Sequence, residues 1–291
     1  PSEAQRTTSP PGGPMLQALR PPAYGQGVIL SVVVAAVVLV LAILATGDGN
    51  ESGIPMTETT EPIFWGLAAI LIVATGAFAQ YVEFSTVRLG PDGVSQTRGQ
   101  SLPTAWAGPV IATLAAVLLV ATYHNTAMLL VGPAVAFLGN AGALFARDLL
   151  SDATAQTERT AIAVHAVVLT IIGFLALSAV YLNKMSIWAA GILVFAISAV
   201  LLVELLDVGS LSATLRVLYA LVGAWVMVEC LIMLDWWPTN GWTGGAVLLI
   251  CFFLVSMALS EIAQQQRPKP RDLLIYGGAC VAALIVLAIF A

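Results

Sequence analysis

Glu229 stands inside an unbroken apolar run, between Val228 and Cys230, and is the first place in this chain where chemistry could occur. A carboxylate at hydrocarbon depth is costly. Such residues tend to bind a proton, a cation or a partner's base. A second group of polar residues falls towards the opposite end of the apolar runs. Glu204 and Asp207 share a helix face by i,i+3 spacing, and Arg216 follows a short turn later, placed to close on either. Asn140 and Arg147 lie seven residues apart, hence also on one face. With His165 at a similar depth in the next run, they define a polar pocket. Asn140 belongs to the small-residue stretch Leu138-Gly139-Asn140-Ala141-Gly142, which lets a neighbouring backbone approach, so its expected role is hydrogen bonding between helices.

Several chemistries are excluded by spacing. His124 and His165 fall at opposite ends of their helices, which rules out a bis-histidine haem or a shared metal within one chain. A single axial ligand at His165 is the residual alternative. Cys230, Cys251 and Cys280 lie on three separate helices with no CxxC pair, and are expected to be small buried apolar residues. The last apolar run has no lysine for a retinal Schiff base. No P-loop, Gly-x-Ser-x-Gly, His-Glu-x-x-His or dinucleotide fingerprint is present. No cofactor or metal is therefore predicted, and no nucleic-acid partner.

The elements that must position these residues follow from composition. Charged residues make up 9 % of the 291 and apolar residues 59 %, against roughly 25 % charged in soluble domains. Apolar runs of roughly 20 residues suffice to cross about 30 Å of hydrocarbon as helices. Nine are read, at 27–46, 63–82, 105–123, 126–146, 161–182, 187–206, 212–234, 242–260 and 273–291. The runs are continuous rather than alternating, which excludes a membrane barrel. The expectation is an all-α polytopic membrane bundle. Residues 1–26, rich in Pro and Gly, read as a disordered tail, and 27–291 as the bundle. The first run is too long for a cleavable signal.

Charge orients this string. With the N-terminus cytoplasmic, every Lys and Arg except Lys184 falls in an inner segment, out of 11 in total. That is the positive-inside pattern, and it predicts N-in and C-out. The acidic pI, the Ala/Val richness and the lack of eukaryotic targeting features make a bacterial inner membrane the expected location. The outer loop 47–62 carries Asp48, Glu51, Glu58 and Glu61 and no base. The inner loop 83–104 shows two short alternating runs about Pro91-Asp92-Gly93, Ser85–Leu89 and Val94–Arg98, which predict a small β-hairpin. Trp65, Trp188 and Trp242 open three outside-to-inside runs that close near Glu83, Asp207 and Glu261, the pattern of an interfacial aromatic belt. Carboxylates at such helix ends oppose the macrodipole. Arg88, Arg147, Arg216 and Arg267 are expected as their partners. Pro109 and Pro133 are candidate kinks in the third and fourth helices.

The expected partners are the bilayer and other proteins, or further copies of the chain, within it. The leading function is a structural or accessory subunit scaffolding a membrane complex. A proton- or ion-coupled small-solute transporter using Glu229 is the alternative, and a lipid-linked transferase using the outer-loop acids is a third.

Overall fold

A computed structural model describes residues 23–46, 62–86, 104–123, 125–151, 157–208, 211–236 and 241–263, together with Gly278 and Ala282. These residues form eight α-helices: α1 Ala23–Thr46, α2 Pro62–Thr86, α3 Ala107–Thr122, α4 Met128–Ser151, α5 Glu158–Leu182, α6 Ile187–Leu205, α7 Ala213–Asp235 and α8 Gly241–Ala263. All but α3 are long and apolar enough to cross a membrane, seven in number. The fold is all-helical among the described residues. The ninth expected span, 273–291, lies outside them apart from Gly278 and Ala282, as do Cys280, His124 and nearly all of the acidic loop 47–62.

Several boundaries move by three to five residues, the largest shift being α4, which runs on to Ser151. α1 begins at Ala23, inside the stretch expected to be a tail. Pro21-Pro22 precede it, and proline suits a position just ahead of a helix or in its first turn, where no intrahelical N–H bond is required. α2 continues to Thr86, so Ser85 and Thr86 are helical rather than the start of a hairpin strand. A β-tendency in two residues does not stop an established helix; propagation is favourable until a breaker arrives, and Gly90-Pro91 stands further on. The rest of the expected hairpin, 87–103, lies outside the described residues.

The shortest helix is the central one. α3 has 16 residues, about 24 Å at 1.5 Å per residue, less than the roughly 30 Å of a bilayer core. It is surrounded by α1, α2, α4, α5 and α6, so its ends meet protein and its length need not match lipid. Its two faces feed two apolar cores. Ile111, Ala115, Leu118 and Leu119 pack with residues of α5 to α8. Ala116, Val117, Val120 and Ala121 pack with α1, α2 and α4. Alanine and glycine let neighbours close on it: a Cβ built on Gly139 of α4 would stand 2.7 Å from the Ala112 Cβ, and one on Gly108 of α3 would stand 2.8 Å from the Ala143 Cβ.

The expected proline kinks do not interrupt either helix. Pro109 occupies the first turn of α3, where its missing N–H is not needed, and α4 runs on through Pro133. Between α5 and α6 the chain turns tightly. Asn183 caps α5 with its N–H on the Ala179 carbonyl, Lys184 takes φ 41°, and Ser186 caps α6 through the Ala189 N–H.

Candidate functional site

α2, α4 and α6 end, and α3, α5 and α7 begin, at one face of the bundle. Of the polar residues picked from the sequence, Arg147, His165, Glu204, Asp207 and Arg216 gather there. Arg147, in the last turns of α4, is the hub. Its Nη2 and Nε donate to Glu83 Oε1 of α2 at 2.8 and 3.1 Å. Its Nη1 donates to Thr104 Oγ1, just ahead of α3, at 3.1 Å, and to Glu204 Oε1 of α6 at 3.3 Å. His165 of α5 brings Nε2 to 3.8 Å from the same Glu204 oxygen. Side chains from α2, α4, α5 and α6, and the approach to α3, thus meet within one guanidinium's reach. The planar, many-donor fork of arginine suits such a junction; a lysine ammonium would be a point charge in its place.

Burial grades across the cluster. The Glu204 and His165 side chains are each 3 % exposed, Arg147 19 % and Glu83 35 %. Glu83 is steadied on its own helix by Gln80, whose Nε2 donates to Oε2 at 3.1 Å. The other Glu204 oxygen faces the start of α3, 3.8 Å from where a Gly108 Cβ would be. The Gly108 backbone N–H faces this carboxyl, although Oε2 completes no hydrogen bond of full geometry. The first turn of a helix presents unsatisfied N–H groups and partial positive charge. Trp106 offers α3 no side-chain cap. Glu204 therefore supplies from α6 the negative group that the α3 N-terminus lacks.

A second ion pair lies beside the first. Asp207 follows α6 in the short turn Leu206–Val208, and its carboxylate takes Arg216 Nη1 from α7. Of the two acids available by spacing, Arg216 thus closes on Asp207, leaving Glu204 to Arg147. Arg88 and Arg267, the other bases expected at helix ends, lie outside the described residues.

Asn140 is set apart from the ionic cluster. Two turns from Arg147 on α4, its Nδ2 donates to Thr113 Oγ1 of α3 at 3.1 Å and to the Ala136 carbonyl at 2.8 Å, while the Thr113 hydroxyl donates to the Pro109 carbonyl at 2.9 Å. Glu229 is remote from all of these. It points outward from α7, hydrogen bonded to the Trp225 indole N–H at 3.1 Å one turn away. Val222 and Met233 lie on the same exposed flank.

Two polar ties at the opposite face were not singled out from sequence. Asn183 Nδ2 donates to the Leu118 carbonyl of α3 at 3.2 Å, and the Trp242 indole of α8 donates to the Tyr123 hydroxyl at 2.9 Å. A polar residue at a helix C-terminus beside an outer turn was the available signal for Asn183. Thr104 carried none.

Seven long apolar helices, together with the short buried α3, fit a multi-pass membrane protein, and among the described residues the buried ionic groups lie at one end. The chain belongs to the family described as protein of unknown function (DUF5656), whose model matches residues 49–290. No curated protein and no solved structure matches it.

Proposed function

We propose that this chain is a nine-span membrane protein, N-terminus cytoplasmic, acting as a structural or accessory subunit of a larger membrane assembly. The observation that carries the reading is the division of its polar groups. Inside, Arg147, Arg216, Asn140 and Asn183 each join one element to another. Outside, Glu229 and Trp225 make a polar pair on the outward flank of α7. A carboxylate in hydrocarbon costs about 3 kcal/mol at mid-depth, and a donor on an adjoining helix offsets that cost. The positive-inside distribution supports the orientation, and the 273–291 run supports the ninth span.

Photo-crosslinkers placed at Val222 and at Met233 test this. The reading expects both to capture a second polypeptide, and Glu229→Lys to reduce the yield at least several-fold. Links confined to lipid, or to residues 273–291 of the same chain, contradict it. The second reading is a proton- or ion-coupled transporter. It is favoured by one observation, the approach of buried His165 to buried Glu204, and it predicts that Glu204→Gln abolishes coupled uptake in vesicles while the protein remains folded.

A further inference from the structure

Two buried polar atoms at the Arg147 junction complete no hydrogen bond: Oε2 of Glu204 and Nδ1 of His165. Both belong to side chains only 3 % exposed. Arg147 divides itself unequally between its two acids. Glu83, the more exposed, takes two N–H groups, the shorter at 2.8 Å, whereas Glu204 takes one at 3.3 Å. The enclosed carboxylate thus receives the weaker share of the counter-charge, although it is the one that water cannot reach to compensate.

The surrounding charges leave this imbalance in place. Two carboxylates meet one guanidinium, so with a neutral imidazole the junction carries one net negative charge. Asp207, beyond α6, is taken by Arg216 of α7, and that pair is neutral by itself. α1 and α3 contain no charged residue. Elsewhere at this face α4 adds Asp148, α5 opens on Glu158 and Arg159, and α8 has Glu261 in its last turn. That is one base among three acids, which does not offset the charge.

His165 is the group placed to correct it. Its Nε2 stands 3.8 Å from Glu204 Oε1, about 1 Å beyond the reach of a charge-assisted hydrogen bond. We infer that Glu204 and His165 together bind one proton, held between Oε1 and Nε2, and that the junction is neutral when it is bound. The proton comes from water on the Glu83 side, where the junction opens, and binding makes no bond other than N–H or O–H. Arg147 already bridges the two carboxylates, so a metal cation would meet a fixed positive charge there, and a proton does not need that space. Binding closes the 3.8 Å gap and ties α5 to α6. The site stands apart from the choice between subunit and transporter, since neither partner capture nor uptake is needed to detect it.

Nitrogen NMR of the full-length chain in lipid discs tests the site, with histidine labelled and His124→Gln leaving His165 as the one histidine. The Nε2 signal is expected to move in a single step between about pH 5 and 8. Glu204→Gln should displace that step to lower pH by at least about one unit, a tenfold loss of proton affinity. Glu83→Gln removes the surplus charge without touching the pair, and should displace the step in the same direction by a smaller amount. A His165 spectrum constant over that range, or a step that Glu204→Gln leaves in place, would overturn the proposal. Should Glu204→Gln fail to fold, Glu83→Gln decides alone, and a step that it does not move has the same consequence.

Discussion

At the scale of single residues, Arg147 is the side chain on which most depends. Removing one member of a buried ion pair leaves the other without compensation, at a cost of about 3–5 kcal/mol. Arg147→Leu strands Glu204, which is 2 % exposed, and Glu83, which can reach solvent. We therefore expect Arg147→Leu to destabilise the bundle by about 3 kcal/mol, read by reversible unfolding in bicelles. Glu83→Gln should cost well under half as much, and Glu204→Gln in the Arg147→Leu background should recover part of the loss. A Glu83→Gln cost equal to that of Arg147→Leu, or no recovery from Glu204→Gln in the Arg147→Leu background, would contradict the graded burial. The pairings of Arg147 and Arg216 were legible because carboxylates at helix C-termini need bases and few bases exist. The choice of Glu204 for one and Asp207 for the other was not, since it depends on the turn Leu206–Val208. Asn140 was read correctly as a polar residue between helices, but Thr113 as its acceptor required the register of α3 against α4. Glu229 was legible as a membrane-depth carboxylate, while the direction it faces was not.

At the scale of elements, the helices could be placed to within a few residues, because continuous apolar runs bounded by charged or turn residues leave little freedom. Which helix is central could not. In a soluble protein the buried stripe is marked by polar residues on the opposite face. In hydrocarbon, lipid-facing and protein-facing sides are equally apolar, so α3 carries no such mark. Its distinguishing features are shortness and the small residues that neighbours bring against it. Gly139 meets Ala112, and in the α5–α8 pair a Cβ on Gly245 would stand 2.6 Å from the Ser178 Cα, a backbone atom that cannot swing aside. Gly139→Leu and Gly245→Leu should each cost at least 1–3 kcal/mol through overpacking. Gly66→Leu, with nothing within 4 Å of its Cβ position, should be nearly neutral. Comparable thermal stability for all three variants would contradict the packing described.

At the scale of the whole molecule, the polar ties are unevenly distributed. One face holds three arginine–carboxylate ion pairs and the other holds neutral hydrogen bonds through Asn183 and Tyr123 among the described residues. In the proposed orientation, with positive charge inside, the ionic face is cytoplasmic. Single cysteines at Thr154 and at Lys184, in a cysteine-free chain, should therefore react with an impermeant maleimide from opposite sides of right-side-out vesicles, Lys184→Cys from outside. The central claim is that the molecule works as a subunit, its inner polar groups spent on holding helices together and its α7 flank turned to a partner. The mass of particles excised from the native membrane by a lipid-disc polymer tests this most directly. The account predicts that wild-type particles hold the chain with a second polypeptide in fixed ratio, and that Glu229→Lys particles hold the chain without it. Particles containing one copy of the chain and only lipid, identical for wild type and Glu229→Lys, would contradict it.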